Sequence, residues 1–367
     1  MAVKALISLL GIIGFAFMEA GVMGSSPQFP SMFVFGDSLV DNGNNNYLNS
    51  LAKANYVPYG IDFKEGPTGR FCNGENLVDV LNEFLGLPLL PSFATTSSGS
   101  TAGKDIVHGV NYASAAGGIL DESGLNLGDR YSLRRQVQNF EITLTQLKTQ
   151  MNGNELNQYL AKSLVMMIFG SNDYLNNYLL PSIYTTSLTY NPNDFADLLI
   201  NKFTPQILAL HGFGFRKFFL VGIGPIGCMP NLIATGLAPP GKCVEFVNNW
   251  VQIFNVKLRA LVDQLNRNHS TGTIFVYGNS YGAFSDVIVN PSAYGFRVTD
   301  RGCCGIGRNQ GQITCLPYSF PCSNRDQYMF WDAYHPTQAL NRILAQRAYA
   351  GPRSDCYPIN IEQMALL

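Results

Sequence analysis

Charge is scarce in this chain. Only 13% of its 367 residues are Asp, Glu, Lys or Arg, and the formal net charge is −1. No run of Lys or Arg occurs, so there is no electrostatic footprint for nucleic acid or an anionic membrane, and the composition argues against a polyanionic substrate. Histidine is down to 4 residues, which keeps the search for a general base short. No repeat of fixed period and no linker divides the chain. Its single low-complexity stretch, residues 95–103, is rich in Ser, Thr and Gly and short enough to be an exposed loop inside one domain.

What is plentiful is apolar: 46% hydrophobic residues, including 24 Phe and 18 Tyr, enough for a large core and for apolar pockets. At the amino terminus Lys4 precedes an apolar stretch, residues 5–17, with the small residues Ala20, Gly21 and Gly24 ahead of Ser25-Ser26. That layout predicts a secretory signal peptide over residues 1–24, leaving residues 25–367 as a single domain. The stretch is shorter than the roughly 20 residues a membrane span needs. The expectation is a secreted, extracellular monomer with no integral membrane span.

All 8 cysteines lie beyond the signal, and an oxidising compartment favours disulfides. Cys228 and Cys243 enclose a short Pro/Gly-rich loop that a bridge would pin. Cys303, Cys304, Cys315 and Cys322 can instead be read as a zinc cluster, although adjacent cysteines at that spacing fit no common finger. Asn268-His269-Ser270 is a glycosylation sequon at the end of a helical pattern, whereas Pro291 disqualifies Asn290.

Four short runs rich in β-branched and aromatic residues, 32–35, 164–169, 217–223 and 273–277, read as buried strands, and 109–112 is a weaker fifth. Helical spacing marks residues 75–85, 131–151, 194–211, 244–268 and 337–349. Apolar strands alternating with amphipathic helices predict an α/β fold with a mostly parallel sheet covered on both faces. A site is then expected outside the carboxyl ends of the strands. Gly36-Asp37-Ser38, the turn Ala115-Ala116-Gly117-Gly118 and Gly170-Ser171-Asn172-Asp173 all fall there.

Of the histidines, His211 and His269 read as structural, and His108 has only Asp105 nearby. His335 follows Asp332 by three residues and precedes Pro336. One tight loop can thus set a carboxylate on one ring nitrogen and leave the other to take a serine proton. The pair can equally be an Asp at a helix start beside a surface His. Two serines compete as nucleophile. Ser280 sits in Gly278-Asn279-Ser280-Tyr281-Gly282, a G-x-S-x-G match directly after a strand. Ser38 ends the first strand and is followed by Asp41-Asn42-Gly43-Asn44-Asn45, a polar turn that reads as lying outside the core. At that corner its N–H can meet an oxyanion, with Gly118 and Asn172 as further donors.

The blocks around Gly36-Asp37-Ser38-Leu39, Ser114 to Gly118, Gly170-Ser171-Asn172-Asp173 and Asp332-Ala333-Tyr334-His335-Pro336 together resemble the plant GDSL esterases/lipases of the SGNH hydrolase superfamily. The resemblance implies a three-layer α/β/α sandwich with flavodoxin-like winding and a shallow, open site. It also implies Ser38 as nucleophile, Asp332 and His335 as acid and base, an oxyanion hole of Ser38, Gly118 and Asn172, and no place for Ser280 in the catalytic set. The expected activity is hydrolysis of small-molecule, lipid or polymer esters through an acyl-Ser38 intermediate, with no metal or organic cofactor. The alternatives are an acyltransferase using the same residues and a non-catalytic secreted binding protein. Residues 174–190 are a candidate wall for the acyl pocket.

Overall fold

Side chains alternate across the sheet with a period of two, and each face is apolar. The first face carries Phe33, Phe35, Val165, Met167, Phe218, Leu220 and Phe275; the other carries Met32, Val34, Met166, Ile168, Phe219, Val221 and Val276. Strands buried on both faces need a layer of helix on each side. The computed structural model, which describes residues 27–97 and 106–367, has that arrangement. The expected signal peptide and most of the 95–103 loop lie outside the described residues.

Strands β1 (Met32–Gly36), β2 (Leu164–Ile168), β3 (Lys217–Val221) and β4 (Ile274–Gly278) pair in parallel in that order. A second, two-stranded sheet pairs β5 (Val298–Gly302) with β6 (Tyr328–Phe330), and β7 (Cys356–Tyr357) adds an antiparallel edge beside β4. The weak fifth run, 109–112, is not a regular strand. Tyr112 N–H donates to Val34 O at 2.8 Å and Val34 N–H to Val110 O at 3.1 Å, so it nonetheless runs along the free edge of β1. Gly109 begins it at φ +113, where an added Cβ would lie 1.8 Å from Met32 O. Chain order therefore reverses between β1 and β2, the switch point at which open α/β sheets form a crevice.

Helices α1 (Leu77–Leu85), α2 (Leu133–Gln150), α3 (Gly153–Lys162), α4 (Pro192–Gly212), α5 (Glu245–Asn268), α6 (Ser280–Val289) and α7 (Gln338–Ala350) follow. Residues of α2, α3, α4 and α5 bury against the first face and those of α1 against the second, while α7 gives Leu340 and Leu344 to the first cluster and Ala345 to the second. Helix α1 is capped at its start: Asn76 Oδ1 accepts from the Val78 and Asp79 N–H groups, and the Asp79 carboxylate accepts from Asn76 N–H. Helices α3 and α6 were not foreseen. The first is short, and the second begins within the G-x-S-x-G match.

Cys228–Cys243, Cys303–Cys322 and Cys304–Cys315 form disulfides, which removes the zinc reading of the last four. Cys72 and Cys356 are buried free thiols. Asn268 is exposed at the last residue of α5. Among the described residues no helix is long and apolar enough to cross a membrane.

Candidate active site

β1 delivers the Ser38 corner. Gly36 must be glycine, because a Cβ there would lie 2.6 Å from Val40 Cγ2 and 3.1 Å from Ile168 O. Gln136 of α2 holds its peptide on both sides, accepting from Gly36 N–H at 2.9 Å and donating to Gly36 O at 2.7 Å. The chain turns immediately, Val40 and Asp41 N–H both bonding back to Asp37 O. Ser38 is thereby left at the rim, partly exposed, with an N–H that makes no hydrogen bond among the described residues.

From the other end of the chain, the loop after β6 brings Asp332 and His335 to that corner. Ser38 Oγ and His335 Nε2 are 2.8 Å apart, and His335 Nδ1 lies 2.8 Å from both carboxylate oxygens of Asp332. Asp332 is fully buried and also accepts from the N–H groups of Tyr334 and His335, from Tyr59 Oη at 2.5 Å and from Thr314 Oγ1 at 3.1 Å. Burial alone pushes its carboxyl up. The charge and hydrogen bond of His335, with the Tyr59 hydroxyl and the Tyr334 N–H, outweigh burial and hold it below its ordinary value. It is therefore an anion set against the Nδ1 side of the imidazole. No sequence signal singled out Tyr59 or Thr314 as partners of Asp332.

The polar turn after Ser38 is interior, contrary to the sequence expectation. Asp41, Asn44 and Asn45 are essentially inaccessible. They tolerate burial because nearly every polar atom is bonded. The Asp41 carboxylate accepts from the N–H groups of Gly43, Asn44 and Ala115 at 2.7, 2.8 and 3.0 Å. Asn44 donates to Asn111 O and Ala113 O, and Asn45 to Ala115 O. This network clamps the segment 111–115 against the Ser38 corner.

The segment then delivers Ala116, rather than Gly118, to the cavity. Ala116 has φ +65, unusual for a residue with a Cβ, lines the same cavity as Ser38, and has an N–H without a hydrogen bond among the described residues. Gly118 lies off that lining. The Asp173 carboxylate accepts the Ile119 and Leu120 N–H groups at 2.8 and 2.9 Å and draws the chain downward, so the Gly118 Cα faces Ser123 and Asp173. Asn172, in the turn after β2, does line the cavity. One N–H of its amide donates to Gly117 O at 3.1 Å and its Oδ1 accepts from Asn176, which leaves the second N–H available.

The cavity measures about 430 Å³ and is walled by Leu51, Leu127, Leu175, Leu180 and Met229, with Lys53, Asn126, Asn176 and Asn231 among the polar groups. Within residues 174–190, Leu175, Asn176 and Leu180 reach it. Leu179 packs on the core, and Tyr174 and Tyr178 stack around Phe195. Ser280 is elsewhere. It starts α6, with Asn279 capping through Gly282 N–H, and lines a separate apolar cavity.

The profile of the GDSL-like lipase/acylhydrolase family matches residues 32–348, which span β1 and both ends of the Ser38–His335 contact. The chain belongs to this family. An Arabidopsis thaliana GDSL esterase/lipase is 56% identical over 357 residues, covering 96% of this chain and 92% of its own. A second from the same plant is 56% identical over 340 residues, covering 93% and 90%. Arabidopsis GDSL esterase/lipase 7 is 48% identical over 346 residues, covering 93% of each.

The Asp of the family's GDS corner has a consequence of its own here. Asp37 is buried; Oδ1 accepts from Leu39 N–H at 3.0 Å and Oδ2 has no partner among the described residues. Burial pushes its carboxyl from 3.8 up to about 7, against the lowering pull of the Leu39 N–H and His335. The folded protein holds that proton more tightly than the unfolded chain. The resulting stabilisation is complete below about pH 4 and is lost as pH rises through about 7. Asp41 and Asp173, both pushed to about 6 by burial, act with the same sign. The melting temperature is therefore expected to fall as pH rises from about 4 to about 7, and Asp37→Asn to flatten that slope. Parallel curves for the two proteins, followed by circular dichroism, would contradict this.

Proposed function

We propose that the chain hydrolyses carboxylic esters through an acyl-Ser38 intermediate. The observation that carries the reading is the contact of Ser38 Oγ with His335 Nε2, backed by Asp332 on the opposite ring nitrogen. Ser38 Oγ attacks the ester carbonyl while His335 takes its proton; the alkoxide leaves with that proton returned, and water repeats the sequence on the acyl-enzyme to release the acid. Negative charge on the carbonyl oxygen falls to the Ser38 and Ala116 N–H groups and the Asn172 amide, each contributing roughly 3 kcal/mol when aimed at the oxyanion. No step calls for a metal or an organic cofactor.

A serine-directed phosphonate should label wild-type protein at Ser38, located by peptide mass spectrometry. Labelling at Ser280, or none, overturns the assignment. The leucines of the cavity wall set acyl preference: Leu175→Ala with Leu180→Ala lowers kcat/KM for an octanoyl ester relative to an acetyl ester by about tenfold. An unchanged ratio removes them from the acyl pocket. Three disulfides and an exposed sequon support the further proposal that the protein works outside the cell.

A further inference from the structure

Two loops flank the mouth of the catalytic cavity, and neither carries a charge. Residues 174–193 contain no Asp, Glu, Lys, Arg or His, and neither do residues 309–324, which run between Arg308 and Arg325. The first supplies Leu175, Asn176 and Leu180 to the cavity and the second supplies Thr314. Both also send apolar side chains outward. Ile183 is exposed one turn from Leu180, bonded to it through Ile183 N–H at 2.9 Å. Tyr318 and Phe320 are 82% and 99% exposed. Leu51, itself part of the cavity wall, is 81% exposed and ties to Leu127 by its N–H at 2.8 Å, with exposed Leu125 two residues away.

The outward pose is fixed by covalent and hydrogen-bonded anchors. Cys303–Cys322 and Cys304–Cys315 close the base of the second loop. Tyr56 Oη, on the cavity wall, donates to Cys315 O at 2.9 Å, and Tyr318 N–H donates to Val57 O at 2.9 Å. These anchors hold the loop with Tyr318 and Phe320 facing outward. Exposed apolar side chains on two uncharged loops, each of which also supplies residues to the cavity, suit an apolar contact face.

We propose that these loops form a docking rim that seats the cavity mouth on the surface of an uncharged ester-lipid assembly, so that substrate enters from the interface. The lack of charge selects against an anionic surface, whose attraction needs Lys or Arg near the contact. A second copy of the chain on this face would cover the entrance instead. The proposal rests on the ester-hydrolase reading for the identity of the lipid, but adsorption is read without turnover.

The test is flotation with a triacylglycerol emulsion carrying a phosphatidylcholine coat, at low and high salt. Wild-type protein is expected to float at both. Tyr318→Ser with Phe320→Ser should reduce the floated fraction, with partition falling about tenfold or more, while turnover of a dissolved short-chain ester stays at the wild-type rate and shows the variant folded. Wild-type protein that stays in the aqueous phase, a variant that floats equally, or release by high salt would overturn the proposal. So would a dimer in sedimentation velocity that the double substitution dissociates. If the dissolved ester is not turned over by wild-type protein either, the catalytic reading has failed, and the flotation result stands separately.

Discussion

Replacing Ser38 by alanine is expected to lower kcat for a dissolved short-chain ester by roughly 10⁴- to 10⁶-fold, with the melting temperature nearly unchanged. The hydroxyl removed sits at the cavity rim, so its loss leaves no buried hole and no orphaned core donor. What disappears is the atom 2.8 Å from His335 Nε2 that, on the proposed mechanism, forms the covalent bond. Asp332→Asn should fall by a comparable order, about 10⁴-fold, because an amide cannot hold the imidazole in the required tautomer or stabilise its charge. These losses are not additive, since the three groups act as one unit. Ser280→Ala is the informative control. That serine begins α6 and faces another cavity, so its rate should equal wild type. Steady-state kinetics on the three variants decides the matter: retained activity in the Ser38 variant, or its loss in the Ser280 variant, reverses the assignment of nucleophile.

The second large effect is on stability. Asp41→Ala strips the acceptor from the Gly43, Asn44 and Ala115 N–H groups in a region closed to water. Each buried donor left without a partner costs about 1–3 kcal/mol, and part of that is recovered because the buried carboxylate, itself strained toward its neutral form, is gone. A net loss of roughly 3–5 kcal/mol is expected from urea unfolding. Activity should fall as well, because Ala115 is the residue before Ala116 and its N–H fixes where that turn sits. A variant with wild-type midpoint and rate would show that the network is dispensable.

Much of the fold could be read from apolar periodicity. The runs at 32–35, 164–169, 217–223 and 273–277 became four parallel strands, displaced by a residue or two at their ends, because a strand buried on both faces has little choice of composition. Local pattern was also enough to suspect Asp332 and His335, which share a loop. It failed where identity and environment diverge. Asp41, Asn44 and Asn45 read as surface by residue type, yet they are core by virtue of bonds to backbone some 70 positions away. Tyr59 reaches Asp332 across 273 residues, a pairing that only the folded chain defines. The family resemblance pointed to Gly118 as an oxyanion donor. The left-handed turn is instead taken by Ala116, because Asp173 draws residues 119–120 away from the cavity. Finally, G-x-S-x-G after a strand matched at Ser280 because small residues are common in a chain with 36 Gly.

Ser38 and His335 are 297 positions apart in the chain. During synthesis, all but the last few dozen residues must leave the ribosome before the His335 imidazole can approach the Ser38 hydroxyl. On the proposed mechanism, chains that stop short of His335 are therefore expected to be inert toward esters.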